Sequence, residues 1–154
     1  MDLLRENDQD GIYPSSFYAD SNTQLSEFDS LKGEVSCDVC VIGGGFTGIS
    51  SALHLAERGF NVKLVEAQRI GFGASGRNGG QVGQGQRLDQ DELETMFGQE
   101  RAKELWKIGY QAVDTVKALS LSDLVLADFH PGIAHADHRP RFVDQSRAYV
   151  DKMN

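Results

Sequence analysis

The run Gly43-Gly44-Gly45-Phe46-Thr47-Gly48 carries little side chain, and bare backbone is what lets a phosphate come close. The G-x-G-x-x-G spacing gives each glycine a separate duty. Gly43 permits a tight turn out of a strand, Gly45 leaves room for a pyrophosphate, and Gly48 lets a helix pack close to the strand. The N–H groups at the helix start, aided by the helix dipole, then hold the anion. Phe46 and Thr47 lie inside this turn and count with the glycines as candidate cofactor-binding residues. Glu66 follows 18 residues after Gly48. A carboxylate there can accept hydrogen bonds from ribose hydroxyls, and it disfavours a 2′-phosphate.

A second cluster, Gly71-Phe72-Gly73-Ala74-Ser75-Gly76-Arg77-Asn78-Gly79-Gly80-Gln81, follows Glu66. Seven glycines fall within residues 71–86, and such a content costs backbone entropy unless it is used. The segment offers backbone N–H groups, the Ser75 hydroxyl, the Arg77 cation and the Asn78 amide to a second side of a pyrophosphate or to a flavin ring. A nicotinamide-binding domain should instead pass from its second strand into an ordinary helix. The pattern therefore favours FAD over NAD(P).

The elements that must position these residues are also legible. Cys37–Ile42 is apolar except for Asp38, as expected of a parallel strand buried on both faces. Ile49, Ala52, Leu53 and Ala56 recur at helical spacing and predict a helix over Thr47–Arg58, stopped by Gly59. A second strand is expected over Asn61–Glu66. The fold class is α/β: a Rossmann-like, FAD/NAD(P)-binding βαβ unit of about 30 residues. Residues 1–35 read as an extended arm, punctuated by Pro14, Ser15 and Asn22, with Tyr13, Phe17 and Tyr18 able to pin it to the body. Residues 36–87 hold the βαβ unit and second glycine segment.

Over residues 88–154 the acidic run Asp89–Glu94 reads as a helix start, where carboxylates suit the positive dipole end. A long helix is expected over Gln99–Leu119, with an apolar stripe at Leu105, Ile108, Ala112, Val116 and Leu119. A short strand or turn is expected around Phe129–Ala134. A last helix should begin near Arg139 and Pro140 and run to Asn154, where no cap closes it. The chain is therefore expected to be the front part of a longer protein.

The chain has 154 residues and a net charge of −8 with no basic cluster, which argues against a nucleic-acid partner. No apolar stretch reaches the length of a membrane span, and the acidic N-terminus lacks a signal-peptide core. Cytoplasm is the expected compartment. Cys37 and Cys40 form a C-x-x-C, but residues three apart on a strand face opposite ways, and a redox pair wants a helix N-terminus. With no second pair to complete a zinc site, they read as small residues in a buried strand. His135-Ala136-Asp137-His138 lacks a third convergent ligand and reads as a surface turn, so no metal site is expected. His54 reads as structural, and Trp106 and Tyr110 as a packed pair.

The stretch Asp38–Gly48, then Glu66, then Gly73–Gly80 resembles the D-amino-acid-oxidase-like family of FAD-dependent oxidoreductases, and within it the gamma-glutamylputrescine oxidase type. Ser16-Phe17-Tyr18-Ala19-Asp20 is similar to the short aromatic motif that precedes the first strand in those enzymes. The resemblance is strongest over residues 37–87. It implies that Gly43, Gly45 and Gly48 contact the FAD pyrophosphate and that Glu66 holds the adenosine ribose. It implies that Ser75, Arg77 and Asn78 line the pyrophosphate and flavin end, with Gly79, Gly80 and Gln81 running under the ring. The helix at 99–119 and the Asp128-Phe129…Gly132 passage are similar to the entry into a substrate-binding α+β domain, incomplete here.

The implied activity is oxidation of the C–N bond of a small-molecule amine or amino acid, with hydride passing to flavin and dioxygen reoxidising it. Family members are several hundred residues long, so these 154 residues alone are expected to be inactive, and no catalytic base is assigned. Two other readings stand beside this one. An NAD(P)-dependent dehydrogenase requires a helix after Glu66. A non-catalytic nucleotide-binding fragment would leave the 105–119 stripe without partners.

Overall fold

The structure, a computed structural model, describes Glu6 and residues 8–22, 25–121, 127–134 and 136–153. The chain divides into two compact units, the first ending at Gln81 and the second starting at Val82. The arm expected over residues 1–35 falls within the first.

In the first unit α1 (Phe17–Asp20) is a single turn, capped by Ser16, whose Oγ accepts the Ala19 N–H at 3.3 Å. β1 (Val39–Ile42) and β2 (Val62–Val65) pair in parallel, with Val39 opposite Val62 and Ile42 opposite Val65. The helix between them, α2 (Phe46–Glu57), packs on both strands. It begins directly at Gly45 and ends where Gly59 takes φ +89°, a left-handed conformation that glycine adopts without steric cost. This is the expected strand–helix–strand crossover, in a fold that mixes helix and strand.

Both strands are shorter than expected. Asp38 closes the near end of β1 instead of extending it: its carboxylate accepts the Asn61 N–H at 2.8 Å and its own N–H donates to the Asn61 carbonyl at 2.9 Å. Nor is β1 buried on both faces. Val39 and Val41 are half-buried, while Cys40 is exposed and Ile42 is 85% exposed. Alternation sends successive side chains to opposite faces, and among the described residues α2 covers one of them.

Of the three arm aromatics, Tyr13 alone pins the arm. Its hydroxyl donates to the Ile70 carbonyl at 2.6 Å, and its ring lies 6.4 Å from that of Phe72. Phe17 is 78% exposed and touches Tyr18, itself exposed. Over residues 71–86 the chain has no regular element beyond a 3-10 turn at Ala74–Gly76.

In the second unit α3 (Gln90–Phe97) starts at Asp89, whose N–H donates back to the Glu92 carboxylate at 3.2 Å. Such a reciprocal arrangement is a strong helix start. Gly98, at φ +79°, ends α3 and opens α4 (Gln99–Ser120), and the two helices pack together. Leu93, Ala102 and Gly109 are buried. The expected stripe is therefore displaced. Ile108, Ala112 and Val116 are exposed, and the covered side runs through Ala102, Leu105, Gly109 and Val113. The cause lies at Gly109: the carbonyl of Gln84 sits where a Cβ would stand, and the Gln86 amide donates to the Leu105 carbonyl at 3.0 Å.

α5 (Pro140–Met153) begins where expected and is tied to α3 through Lys152, whose ammonium donates to Asp91 and, at 2.9 Å, to Glu94. Asn154 lies outside the described residues. Phe129–Ala134 forms no strand. Pro131 has no N–H to offer a ladder, and Gly132 takes φ +105°, which breaks an extended run. Among the described residues no helix is long and apolar enough to cross a membrane.

Candidate functional site

The glycine turn grows directly out of the β1–β2 ladder. The Gly43 N–H still donates to the Val65 carbonyl at 2.8 Å, and Gly43 then turns at φ +105°. One residue on, Gly44 is buried and its N–H donates to Glu66 Oε2 at 2.5 Å. The other carboxylate oxygen accepts the Gln68 N–H at 3.0 Å. Glu66, one residue past β2, is thus held against the turn that follows β1.

The remaining glycines sit in close quarters, Gly44 and Gly45 against side-chain ends and Gly48 against backbone. A Cβ on Gly44 would lie 2.6 Å from Ile70 Cδ1, and one on Gly45 would lie 2.9 Å from Ser75 Oγ. A Cβ on Gly48 would run into the Gly43 carbonyl. This is the helix-against-turn packing expected of the third glycine.

The second glycine segment is laced onto the first. The Gly71 N–H donates to the Gly44 carbonyl at 2.9 Å, and Ser75 Oγ accepts the Phe46 N–H at 3.0 Å. Within that segment a Cβ on Gly76 would collide with the Gly71 carbonyl. Residues 43–48, 66 and 75 therefore come together.

Arg77 and Asn78 have other partners. Arg77 donates to the Phe72 carbonyl at 2.8 Å and to Asp8 at 2.9 Å, and its guanidinium stacks over the Phe72 ring. The Asn78 amide donates to the carbonyls of Ala74 and Ser75 and accepts the Gly80 N–H at 2.9 Å. Both side chains shape the loop from within. Gly79, Gly80 and Gln81 are exposed, with Gly80 at φ +68°.

Sequence reasoning passed over Gly44, Ile70 and Arg69. Gly44 is the "x" of the motif and gave no signal of its own, yet it meets both Glu66 and Ile70. Arg69, a lone cation between Glu66 and the glycines, is joined to the arm at several points.

The other candidates have partners of their own. Cys37 precedes β1, and Cys40 is exposed instead of sitting in a buried strand; both are free thiols. His54 pairs with Glu57 at 3.2 Å along α2. Trp106 and Tyr110 meet edge to face, with centroids 5.4 Å apart. His135 lies outside the described residues. Asp137 accepts the Ser146 hydroxyl at 3.0 Å, and His138 lies against Phe142. Among the described residues no three His, Cys, Asp or Glu side chains cluster to hold a metal ion.

A parallel strand, a bare-backbone turn, a helix packed tightly on it and a carboxylate at the next strand's tip define a dinucleotide-binding module. The fit is local and physical: a Cβ on Gly48 would meet the Gly43 carbonyl and one on Gly45 the Ser75 hydroxyl, so side chains there would push the turn, the helix and the second glycine segment apart. The sequence pattern of the family described as "DAO: FAD dependent oxidoreductase" matches residues 38–150. The chain belongs to that family, whose cofactor is FAD.

Among its relatives, a gamma-glutamylputrescine oxidoreductase of Escherichia coli (strain K12) is 44% identical over 120 residues, covering 78% of this chain and 28% of that protein. A "Probable oxidoreductase OrdL" of Rhizobium meliloti (strain 1021) is 36% identical, covering 90% of this chain and 32% of its own length. A protein of the same name from Haemophilus influenzae is 40% identical, covering 77% and 28%. The chain thus spans about a third or less of the length of these relatives. No solved structure matches it.

Proposed function

We propose that this chain is the FAD-binding front of an oxidoreductase that oxidises the C–N bond of an amine or amino acid, a gamma-glutamylputrescine-like compound being the favoured substrate. The observation that carries the FAD reading is the lacing of the second glycine segment onto the first, through Gly71 to Gly44 and Ser75 to Phe46. The nicotinamide reading needed a helix after Glu66, and the chain makes only a 3-10 turn there. The substrate class is suggested by the Escherichia coli relative.

In this reading the turn formed by Gly43, Gly45, Phe46, Thr47 and Gly48 would hold the pyrophosphate, with the Gly43 and Phe46 N–H groups already spent on Val65 and Ser75, and Glu66 would hold the adenosine ribose. The Ser75 hydroxyl accepts from Phe46 and has its own proton left to donate to a phosphate oxygen. Gly79, Gly80 and Gln81 would line the flavin end, and Arg77 and Asn78 hold the loop in shape. When bound, FAD supplies the two-electron acceptor for C–N oxidation, with dioxygen as the reoxidant. Residues 88–154 would begin the substrate-binding domain.

The test is spectroscopic. This chain is expected to take up FAD but not NAD, and the full-length protein to show flavin absorption and release hydrogen peroxide with polyamine conjugates. A colourless protein that binds NAD tightly and refuses FAD would overturn the proposal.

A further inference from the structure

Three consecutive residues, Arg69, Ile70 and Gly71, stand between the N-terminal arm and the glycine turn. On one side the Arg69 guanidinium donates to the Leu25 carbonyl at 2.7 Å and to the Gly11 carbonyl at 3.4 Å, and lies 4.9 Å from the Tyr13 ring centre. The Tyr13 hydroxyl donates to the Ile70 carbonyl. Gln68, just before, accepts the Gly11 N–H at 2.5 Å and donates to Asp10 at 2.8 Å. On the other side Ile70 Cδ1 sits over Gly44, and the Gly71 N–H donates to the Gly44 carbonyl. The arm and the turn therefore grip the same tripeptide from opposite sides.

We infer that Arg69 and Tyr13 are positioning residues for the cofactor cradle: they strap the arm across residues 68–71 and so fix the spacing between the two glycine segments. The inference rests on the FAD reading above. The Arg69–Glu27 pair is long, at 3.3 Å, and Glu27 is 79% exposed, so that ion pair contributes little. The carbonyl contacts differ, because the Arg69 side chain is only 17% exposed and its rigid fork reaches two separate stretches of arm at once. Lysine, a point charge on a flexible stem, cannot reproduce this. Glycine-rich backbone has many accessible conformations, so without the strap the 71–80 segment loses its fixed distance from Gly44 and Phe46.

The test uses the FAD-loaded protein and three variants: Arg69→Met, Arg69→Lys and Tyr13→Phe. FAD dissociation is read by flavin fluorescence, and backbone opening by hydrogen exchange at the Gly71 and Phe46 amides. In Arg69→Met and Arg69→Lys, FAD affinity is expected to fall about tenfold or more and both amides to exchange faster, while α4 amides are unchanged. Tyr13→Phe should show the same pattern more weakly, and it carries the test if the Arg69 variants do not fold. Variants that bind FAD as tightly as the parent, or exchange faster everywhere alike, would show the arm to be ordinary packing and overturn the inference. A parent protein that takes up no FAD instead overturns the proposed function.

Discussion

Glu66 and Gly44 are joined directly, the carboxylate Oε2 accepting the buried Gly44 N–H at 2.5 Å. One side chain thereby ties the tip of β2 to the turn after β1, while its second oxygen accepts from Gln68. A carboxylate offers about four lone-pair sites, so roughly two remain free to accept a further donor.

Glu66→Gln removes one of these acceptor oxygens and the charge. A backbone N–H loses its partner at a cost of about 1–3 kcal/mol, and FAD affinity is expected to fall roughly tenfold or more. A fluorescence titration checks this. An unchanged dissociation constant would leave Glu66 with only its structural role.

Gly48→Ala should destabilise, against the usual preference for alanine in helices. The helix gains up to ~1 kcal/mol from replacing glycine, but the new methyl meets the Gly43 carbonyl, and overpacking of this kind costs about 1–3 kcal/mol. Urea unfolding would report the net loss, together with poorer flavin retention. A more stable Gly48→Ala protein would contradict the close approach of turn and helix.

Ser75→Ala leaves the Phe46 N–H without its hydroxyl acceptor. The expected cost is about 1 kcal/mol, seen as weaker FAD retention on gel filtration with little change in the melting of the second unit.

Gly109→Ala gives a second case of inverted sign, this time in the second unit. In an open helix the change would stabilise by about 1 kcal/mol. Here the Gln84 carbonyl occupies the space, so the variant is expected to unfold more easily and to be cut faster between residues 82 and 120 in limited proteolysis. Slower cutting would place Gln84 elsewhere.

The α3–α5 contact should be sensitive to alkali. The hydrogen bonds that Lys152 donates to Asp91 and then to Glu94 raise its pKa above the ordinary lysine value. A raised folded-state pKa means the contribution is complete below the unfolded value and is lost as pH rises through the folded one. Amide exchange in α5, corrected for its intrinsic pH dependence, should therefore quicken only in strongly alkaline solution. Lys152→Met should abolish that step while leaving FAD binding intact.

The cradle was legible because its chemistry is written in glycines and one acid at fixed spacing. Residue types at 43, 45, 48 and 66 announce the βαβ turn, and the breakdown of helical pattern after Glu66 separates it from a nicotinamide domain. What was not legible depends on partners distant in sequence. Hydrophobicity placed the α4 contact at Ile108 and Val116, whereas the helix meets its neighbours through Ala102 and Gly109, whose merit is small size. Arg77 offers a cation suited to phosphate, but Asp8 and Phe72 take it, and no local pattern reveals a partner 69 residues away. The strand expected at Phe129–Ala134 failed for a reason already visible there, a proline and a glycine inside the run.

The corner at Gly98 sets an order of events. One residue with φ +79° both finishes α3 and launches α4, so the two helices pack together with no connecting loop between them. Pairing β1 with β2 must first close the whole crossover. Low contact order favours speed, so the α3–α4 corner is expected to nucleate before the parallel ladder. Pulse-labelled exchange during refolding should find the amides around Leu93 and Ala102 protected earlier than those of Val39–Ile42.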